Sequence, residues 1–152
     1  MVPPPSARGL KKVDRCIDKV VMVYNGDASR ICDVVRWTIV VNSVGDAATC
    51  LKLLCTDLEV DIVRVRNRFK DTNDGDKYST GFRYLSVNMR VHTREAAALC
   101  VETHVCELLI MHRLFAAAVD PARHASYVQF RNLRNSLDRT LRSILRSGVR
   151  SL

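Results

Sequence analysis

Two acidic side chains stand in unusual company. Asp33 opens the apolar run ICDVVRWTIVV, with Arg36 three residues on, and Glu107 lies inside VCELLIM. A carboxylate in an apolar, β-rich run is costly to bury unless it is paired or coordinates a metal. Two such acids on neighbouring strands suit Mg2+ held beside nucleotide phosphates. The plainer alternative is that Asp33 caps a strand and Glu107 pairs with a local Arg. Cations are also grouped. VRVRNRF sets Arg64, Arg66 and Arg68 at period two, on one face of a strand, with Val63, Val65 and Asn67 opposite. Lys11, Lys12, Arg15 and Lys19 crowd one short stretch. Guanidinium forks bind phosphate oxygens in pairs, so a polyphosphate pocket uses such clusters. A solvated helix face or an exposed sheet face is the competing reading.

Other chemistries lack their residues. There is no GxxxxGK[ST] and no GxGxxG, so neither a P-loop nor a dinucleotide fingerprint is present. No Ser-His-Asp arrangement can be argued. His104, His112 and His124 have no spacing that demands a metal. The six cysteines form no CxxC and mostly have apolar neighbours, which reads as small buried thiols in a reducing compartment, with a zinc site or disulfide as the alternative. No stretch approaches about 20 apolar residues, and the first residues, MVPPPSARGLKK, have no apolar signal core. The expectation is a cytoplasmic protein with no membrane partner.

The chain has 152 residues, 47% of them hydrophobic and 26% charged, and a net charge of +8. That is the size and composition of one globular domain. Residues 121–152 hold seven Arg against one Asp, whereas 1–120 hold 17 basic and 15 acidic groups. The basicity therefore belongs mostly to the C-terminal segment. A phosphate-bearing partner fits it, but charge alone does not choose between a nucleotide, RNA and an acidic protein.

The elements that must position these residues follow from periodicity. Residues 1–9, with a Pro triplet, are a disordered lead-in. Leu10, Val13, Ile17 and Val20/Val21 define an amphipathic helix over 10–23, ended by Asn25-Gly26-Asp27. Strands are predicted over 34–41, 59–69 and 82–92, with a short helix over 47–55 and a polar loop over 71–81. A third apolar run lies within 101–113. After Asp120-Pro121 a long helix carries Phe130, Leu133, Leu137, Leu141 and Ile144/Leu145. These elements imply an α+β fold with a mixed β-sheet of about four to five strands flanked by helices, and a long C-terminal helix. Leucines at four-residue steps need a cover. From Leu141 onward a second copy of the chain is the expected cover, with Arg139, Arg142 and Arg146 left in solvent. RNA at those Arg is the alternative.

In order along the chain, these pieces resemble the synthetase domain of the RelA/SpoT family, the guanosine tetra- and pentaphosphate (alarmone) synthetases. LKKVDRCIDK resembles the family's basic ATP-binding helix, and ICDVVRWTIVV its magnesium-Asp strand. VRVRNRF, the polar loop and TGFRYLSVNMRV resemble its basic strand, loop and "GYR" strand. VCELLI resembles the strand with the second acid, and RHASYVQFRN the "H-x-x-Y" segment. The likeness covers about residues 10–135, leaving 136–152 as the end of the basic helix and a tail. It implies a nucleotidyltransferase-like fold with Mg2+, ATP and a guanine nucleotide as partners. The implied activity is transfer of pyrophosphate from ATP to the 3′-hydroxyl of GDP or GTP. Carried over residue by residue, Asp33 and Glu107 hold the metal, and Glu107 assists deprotonation of the acceptor. Lys12, Arg15 and Lys19 bracket ATP. Arg36, Arg66 and Arg68 line the phosphate path. Lys77 is the near match to the acceptor-side Lys. Phe82 stands where the family stacks a Tyr on guanine, and His124 and Tyr127 form a structural or acceptor-side pair.

The chain also departs from the pattern. Leu109 replaces the Gln two residues after the second acid, and Phe82 keeps the ring of the "GYR" Tyr without its hydroxyl. The family's helices ahead of the ATP helix, its HD hydrolase domain and its C-terminal regulatory region have no counterpart, so the expectation is a small, stand-alone version. These departures leave two other functions open: a catalytically degenerate nucleotide- or RNA-binding domain of the same fold, and pyrophosphotransfer to an RNA 3′ end.

Overall fold

A computed structural model describes residues 9–69 and 83–118, and part of the C-terminal stretch: 128–130, 132–134, 136–137 and 140–141. The lead-in, the polar loop with Lys77 and Phe82, the segment with His124 and Tyr127, and the chain beyond Leu141 lie outside the described residues. The chain divides into two compact units, one of residues 1–11 and 32–118, the other of 12–31 and 119–152.

The first unit is built on a mixed four-stranded sheet. Its strands are β1 (Arg36–Val41), β2 (Val60–Asn67), β3 (Tyr84–Val91) and β4 (Cys106–His112). Their order across the sheet is β1-β4-β3-β2. β1 runs parallel to β4, and β4–β3 and β3–β2 are antiparallel. β1 and β2 therefore lie at opposite edges and point the same way, which forces the connection between them to cross the sheet. Helix α2 (Val44–Thr56) makes that crossing. It is longer than the predicted 47–55 because Ser43 and Asp46 form a reciprocal cap: the Ser43 hydroxyl accepts from the Asp46 N–H, and the Asp46 carboxylate accepts from the Ser43 N–H, each at 3.0 Å. Two short helices, α3 (Arg94–Ala98) and α4 (Arg113–Ala117), flank β4. His112 caps α4, its Nδ1 accepting from the Leu114 N–H.

Alternation separates the two sheet faces. Val41, Leu85, Val87, Leu108 and Ile110 form the core with Ala47 of α2, joined by Ile39, Leu51, Leu54, Ile62 and Met89. Ile110 and Val87 are fully buried. Leu85, Val87 and Met89 thus form the core face of β3. Register carries the opposite face across all four strands. Arg36, Glu107, Asn88 and Arg64 are successive partners in one transverse row, and Thr38, Leu109, Ser86 and Arg66 form the next.

Several predicted boundaries are corrected. β1 begins at Arg36, not Val34. β2 spans 60–67 rather than 59–69, and a bulge between Ile62 and Arg64 breaks its alternation. Arg68 lies beyond the strand end, where its N–H donates to the Tyr84 carbonyl and its guanidinium packs over the Tyr84 ring. The first helix starts at Val13. Leu10 instead bridges to Val35, because residues 9–11 pair with the chain leading into β1: Arg36 N–H donates to the Gly9 carbonyl at 2.7 Å and Lys11 N–H to the Val34 carbonyl at 2.8 Å. That pairing covers the edge where β1 begins.

The second unit contains α1 (Val13–Val23) and the described helical residues between 128 and 141. Asn25 and Gly26 close α1 with positive φ angles, a conformation that Gly adopts freely and Asn tolerates. Phe130, Leu133, Leu137 and Leu141 are each half or more exposed.

The cysteines also depart from expectation. Cys55 and Cys100 are exposed and the other four are half-buried. Burial raises the Cys50 and Cys106 thiols above the usual range. The thiolate is the reactive form. Iodoacetamide at pH 8 is therefore expected to label Cys55 and Cys100 at least about tenfold faster than Cys50 and Cys106, read by peptide mass spectrometry. A raised folded-state thiol pKa contributes stability that is complete below the unfolded value of about 8.5 and is lost as pH climbs toward the folded value. Stability should accordingly decline on the alkaline side.

Candidate active site

Asp33 is buried, 9% exposed, in the extended link ahead of β1. It is therefore not on a strand itself. Its carboxylate forms an ion pair with the Lys11 ammonium at 2.5 Å, with both side chains about nine-tenths buried. Glu107 is the second residue of β4 and half-buried. Its Oε1 accepts from the Ser86 hydroxyl at 2.7 Å, and its backbone N–H donates to the Val35 carbonyl at 2.9 Å. The stretch carrying Asp33 therefore reaches β4 at Glu107. Among the described residues Glu107 forms no ion pair with an Arg.

Asn88 connects these pieces. It is 4% exposed and is the register partner of Glu107. Its Nδ2 donates to the Cys32 carbonyl at 3.2 Å, immediately before Asp33. Its Oδ1 accepts two hydrogen bonds from Arg64, from Nε at 3.2 Å and Nη2 at 2.9 Å. Ser86, 5% exposed, lies two residues away on the same face. Arg36 and Arg66 stand in the same two rows. Leu109 lies on this face beside Ser86.

The first-helix cations belong to the second unit. Lys12 is the N-terminal cap residue of α1 and is exposed. Arg15 Nη1 contacts Asp18 at 2.8 Å and Asn132 at 3.4 Å. Lys19 and Arg30 lie at 5.4 and 5.0 Å from the centre of the Tyr24 ring, within cation–π range.

Ser86 and Asn88 were not singled out by sequence, and the roles of Lys11 as the partner of Asp33 and of Arg64 as the partner of Asn88 were not anticipated. For Ser86 and Asn88 a signal was present. They alternate with Leu85, Val87 and Met89, so two polar residues share one face of a core strand.

No group of three or more His, Cys, Asp or Glu among the described residues forms a metal cage. Mg2+ commonly takes one or two carboxylates and completes its shell with water and substrate phosphates. Asp33 and Glu107 are a hard-oxygen pair of that type, so the donor chemistry fits the ion.

No protein-family profile matches the chain, and no curated protein matches it in sequence. Solved structures do match. Small alarmone synthetase 1 from Bacillus subtilis, bound to its product pppGpp, has a TM-score of 0.60 and 16% identity, covering 93% of this chain and 75% of that one. A GTP pyrophosphokinase family protein from Streptococcus pneumoniae has a TM-score of 0.60 and 12% identity, covering 93% and 71%. Small alarmone synthetase 2 from Bacillus subtilis has a TM-score of 0.56 and 14% identity, covering 94% and 78%. The fold is that of the RelA/SpoT-like alarmone synthetases, as the sequence motifs predict. Among the described residues no helix is long and apolar enough to cross a membrane.

Proposed function

We propose that this chain is a nucleotide pyrophosphokinase, transferring pyrophosphate from ATP to the 3′-hydroxyl of a guanine nucleotide. The observation that carries the reading is the transverse row of Arg36, Glu107, Asn88 and Arg64, which Asn88 links to the Asp33 segment on a synthetase-type sheet. It combines an acid, a second acid's backbone and flanking guanidiniums, as charge-neutralised phosphoryl chemistry requires.

In the reaction the acceptor hydroxyl oxygen bonds to the β-phosphorus of ATP. The bond from that phosphorus to the α,β-bridging oxygen breaks, and AMP leaves. Glu107 accepts the hydroxyl proton, while the Ser86 hydroxyl holds Oε1 in place. Arg36, Arg66 and Arg68 neutralise phosphate oxygens, and Lys12, Arg15 and Lys19 bind ATP. Lys77, Phe82, His124 and Tyr127 serve the acceptor side. Asp33 and Glu107 would hold Mg2+, which neutralises phosphate charge when bound. Most of the rate then comes from positioning.

Leu109 on the Glu107 face favours a second reading, a binding domain that has lost catalysis. Incubation with α-labelled ATP, Mg2+ and GDP, GTP or tRNA separates the readings. The proposal expects one AMP released per acceptor nucleotide that gains pyrophosphate. Nucleotide binding without AMP release supports the degenerate domain. AMP release only with tRNA moves the acceptor to an RNA 3′ end.

A further inference from the structure

We propose that Asn88 is a positioning residue: its amide holds the peptide ahead of Asp33 in place beside Glu107, and Arg64 sets the direction of that amide. The assignment rests on the functional reading above and extends it to residues outside the reacting set.

The orientation of the amide follows from its partners. A guanidinium only donates, so the Asn88 oxygen must face Arg64. Both Arg64 bonds, from Nε and Nη2, converge on Oδ1. The amide nitrogen is thereby turned the other way, where it donates to the Cys32 carbonyl. Asp33 is the next residue. Asn88 is itself fixed in the β3 ladder opposite Glu107, so one side chain ties the backbone of one acid to the strand of the other. A buried amide with its oxygen and one N–H satisfied is also rigid, because turning it would set its nitrogen against Arg64 and its oxygen against a carbonyl. Asn is suited to this place. Asp would present only acceptors to the Cys32 carbonyl, and Leu would lose the hydrogen bonds to both partners.

Groups that orient metal-binding side chains typically change metal affinity or activity by 10–100-fold when removed. The test uses Asn88→Ala, Arg64→Ala and a control, Met89→Ala. Met89 is the next residue of β3 but packs on the opposite, apolar face, so its loss lowers stability without touching the Cys32 carbonyl. Two quantities are read on the full chain: hydrogen–deuterium exchange across residues 31–35, and affinity for Mn2+ by electron paramagnetic resonance. Asn88→Ala is expected to speed exchange across 31–35 and to weaken Mn2+ binding about tenfold. Arg64→Ala should shift both in the same direction, and Met89→Ala should leave both near wild type. Arg64 is exposed, so its variant decides the matter if Asn88→Ala does not fold. Exchange across 31–35 that is unchanged in the Asn88 and Arg64 variants, or raised equally by Met89→Ala, overturns the assignment. If wild-type protein neither binds Mn2+ nor releases AMP, the functional reading fails on its own. The exchange pattern then still decides whether Asn88 holds the Asp33 segment.

Discussion

Glu107→Gln is expected to lower AMP release from ATP by on the order of 10²–10⁴-fold while leaving the fold intact. The range is that of a lost general base. The substitution is nearly isosteric, and its amide oxygen can still accept from the Ser86 hydroxyl, which reaches Glu107 Oε1 at 2.7 Å in the native protein. Among the described residues no ion pair at Glu107 is broken, so removing the charge leaves no described cation unpartnered. A shift of melting temperature of no more than about 4 °C is therefore expected, corresponding to roughly 1 kcal/mol or less in a domain of this size. Glu107→Ala is a poorer experiment, because it leaves the buried Ser86 hydroxyl without its acceptor. Steady-state AMP formation and thermal melts on the same preparation give the answer. A Glu107→Gln enzyme within threefold of wild type removes Glu107 from the chemistry. A large fall in melting temperature instead makes it a structural acid.

That Glu107 and Asp33 stand out in the sequence and their neighbours do not is a matter of range. An acid inside an apolar run is conspicuous within ten residues of sequence, because burying its charge is costly. The same holds for alternation: Leu85, Val87 and Met89 identify the core face of β3 without reference to any other strand. What no local pattern contains is register. Arg36 and Glu107 are side by side only because β1 pairs with β4, some seventy residues further along, and Arg64 reaches Asn88 only through the β2–β3 ladder. A bulge at Val63 changes which residues face which way, and period two alone does not anticipate it. Lys11 was misplaced for a related reason. Next to Lys12 and Arg15 it reads as one more cation on a helix, and Leu10 as the first turn of the apolar stripe. Tertiary pairing overrides that local reading, since Leu10 bridges Val35 and takes Lys11 with it onto β1's edge. The cysteines failed differently. Apolar sequence neighbours say nothing of the solvent-facing side of a helix, and Cys55 sits on it.

The Lys11–Asp33 pair is expected to behave as a buried ion pair that a divalent cation can take over. Both side chains are only 12% exposed. Removing one member of such a pair takes away a close counter-charge from the other, and losses of about 3 kcal/mol are typical, whereas replacing both by apolar groups is often neutral. Lys11→Met and Asp33→Leu should each destabilise the protein by roughly that amount, and the double variant should recover much of the loss, as a double-mutant cycle measures. The cycle alone describes a structural brace. Its combination with metal separates that from a metal-binding acid. In Lys11→Met the Asp33 carboxylate has lost its ammonium neighbour. A cation that prefers the folded state stabilises it by RT ln(1 + [L]/Kd). Millimolar Mn2+ should therefore raise the melting temperature of Lys11→Met more than that of wild type, in which Lys11 competes for the same oxygen. The same Mn2+ should do little for Asp33→Leu. Equal responses from wild type and Lys11→Met would make the pair a fastening of residues 9–11 to β1 and remove Asp33 from the metal set. A selective rescue of Lys11→Met would place a divalent cation at the acid that the sequence first singled out.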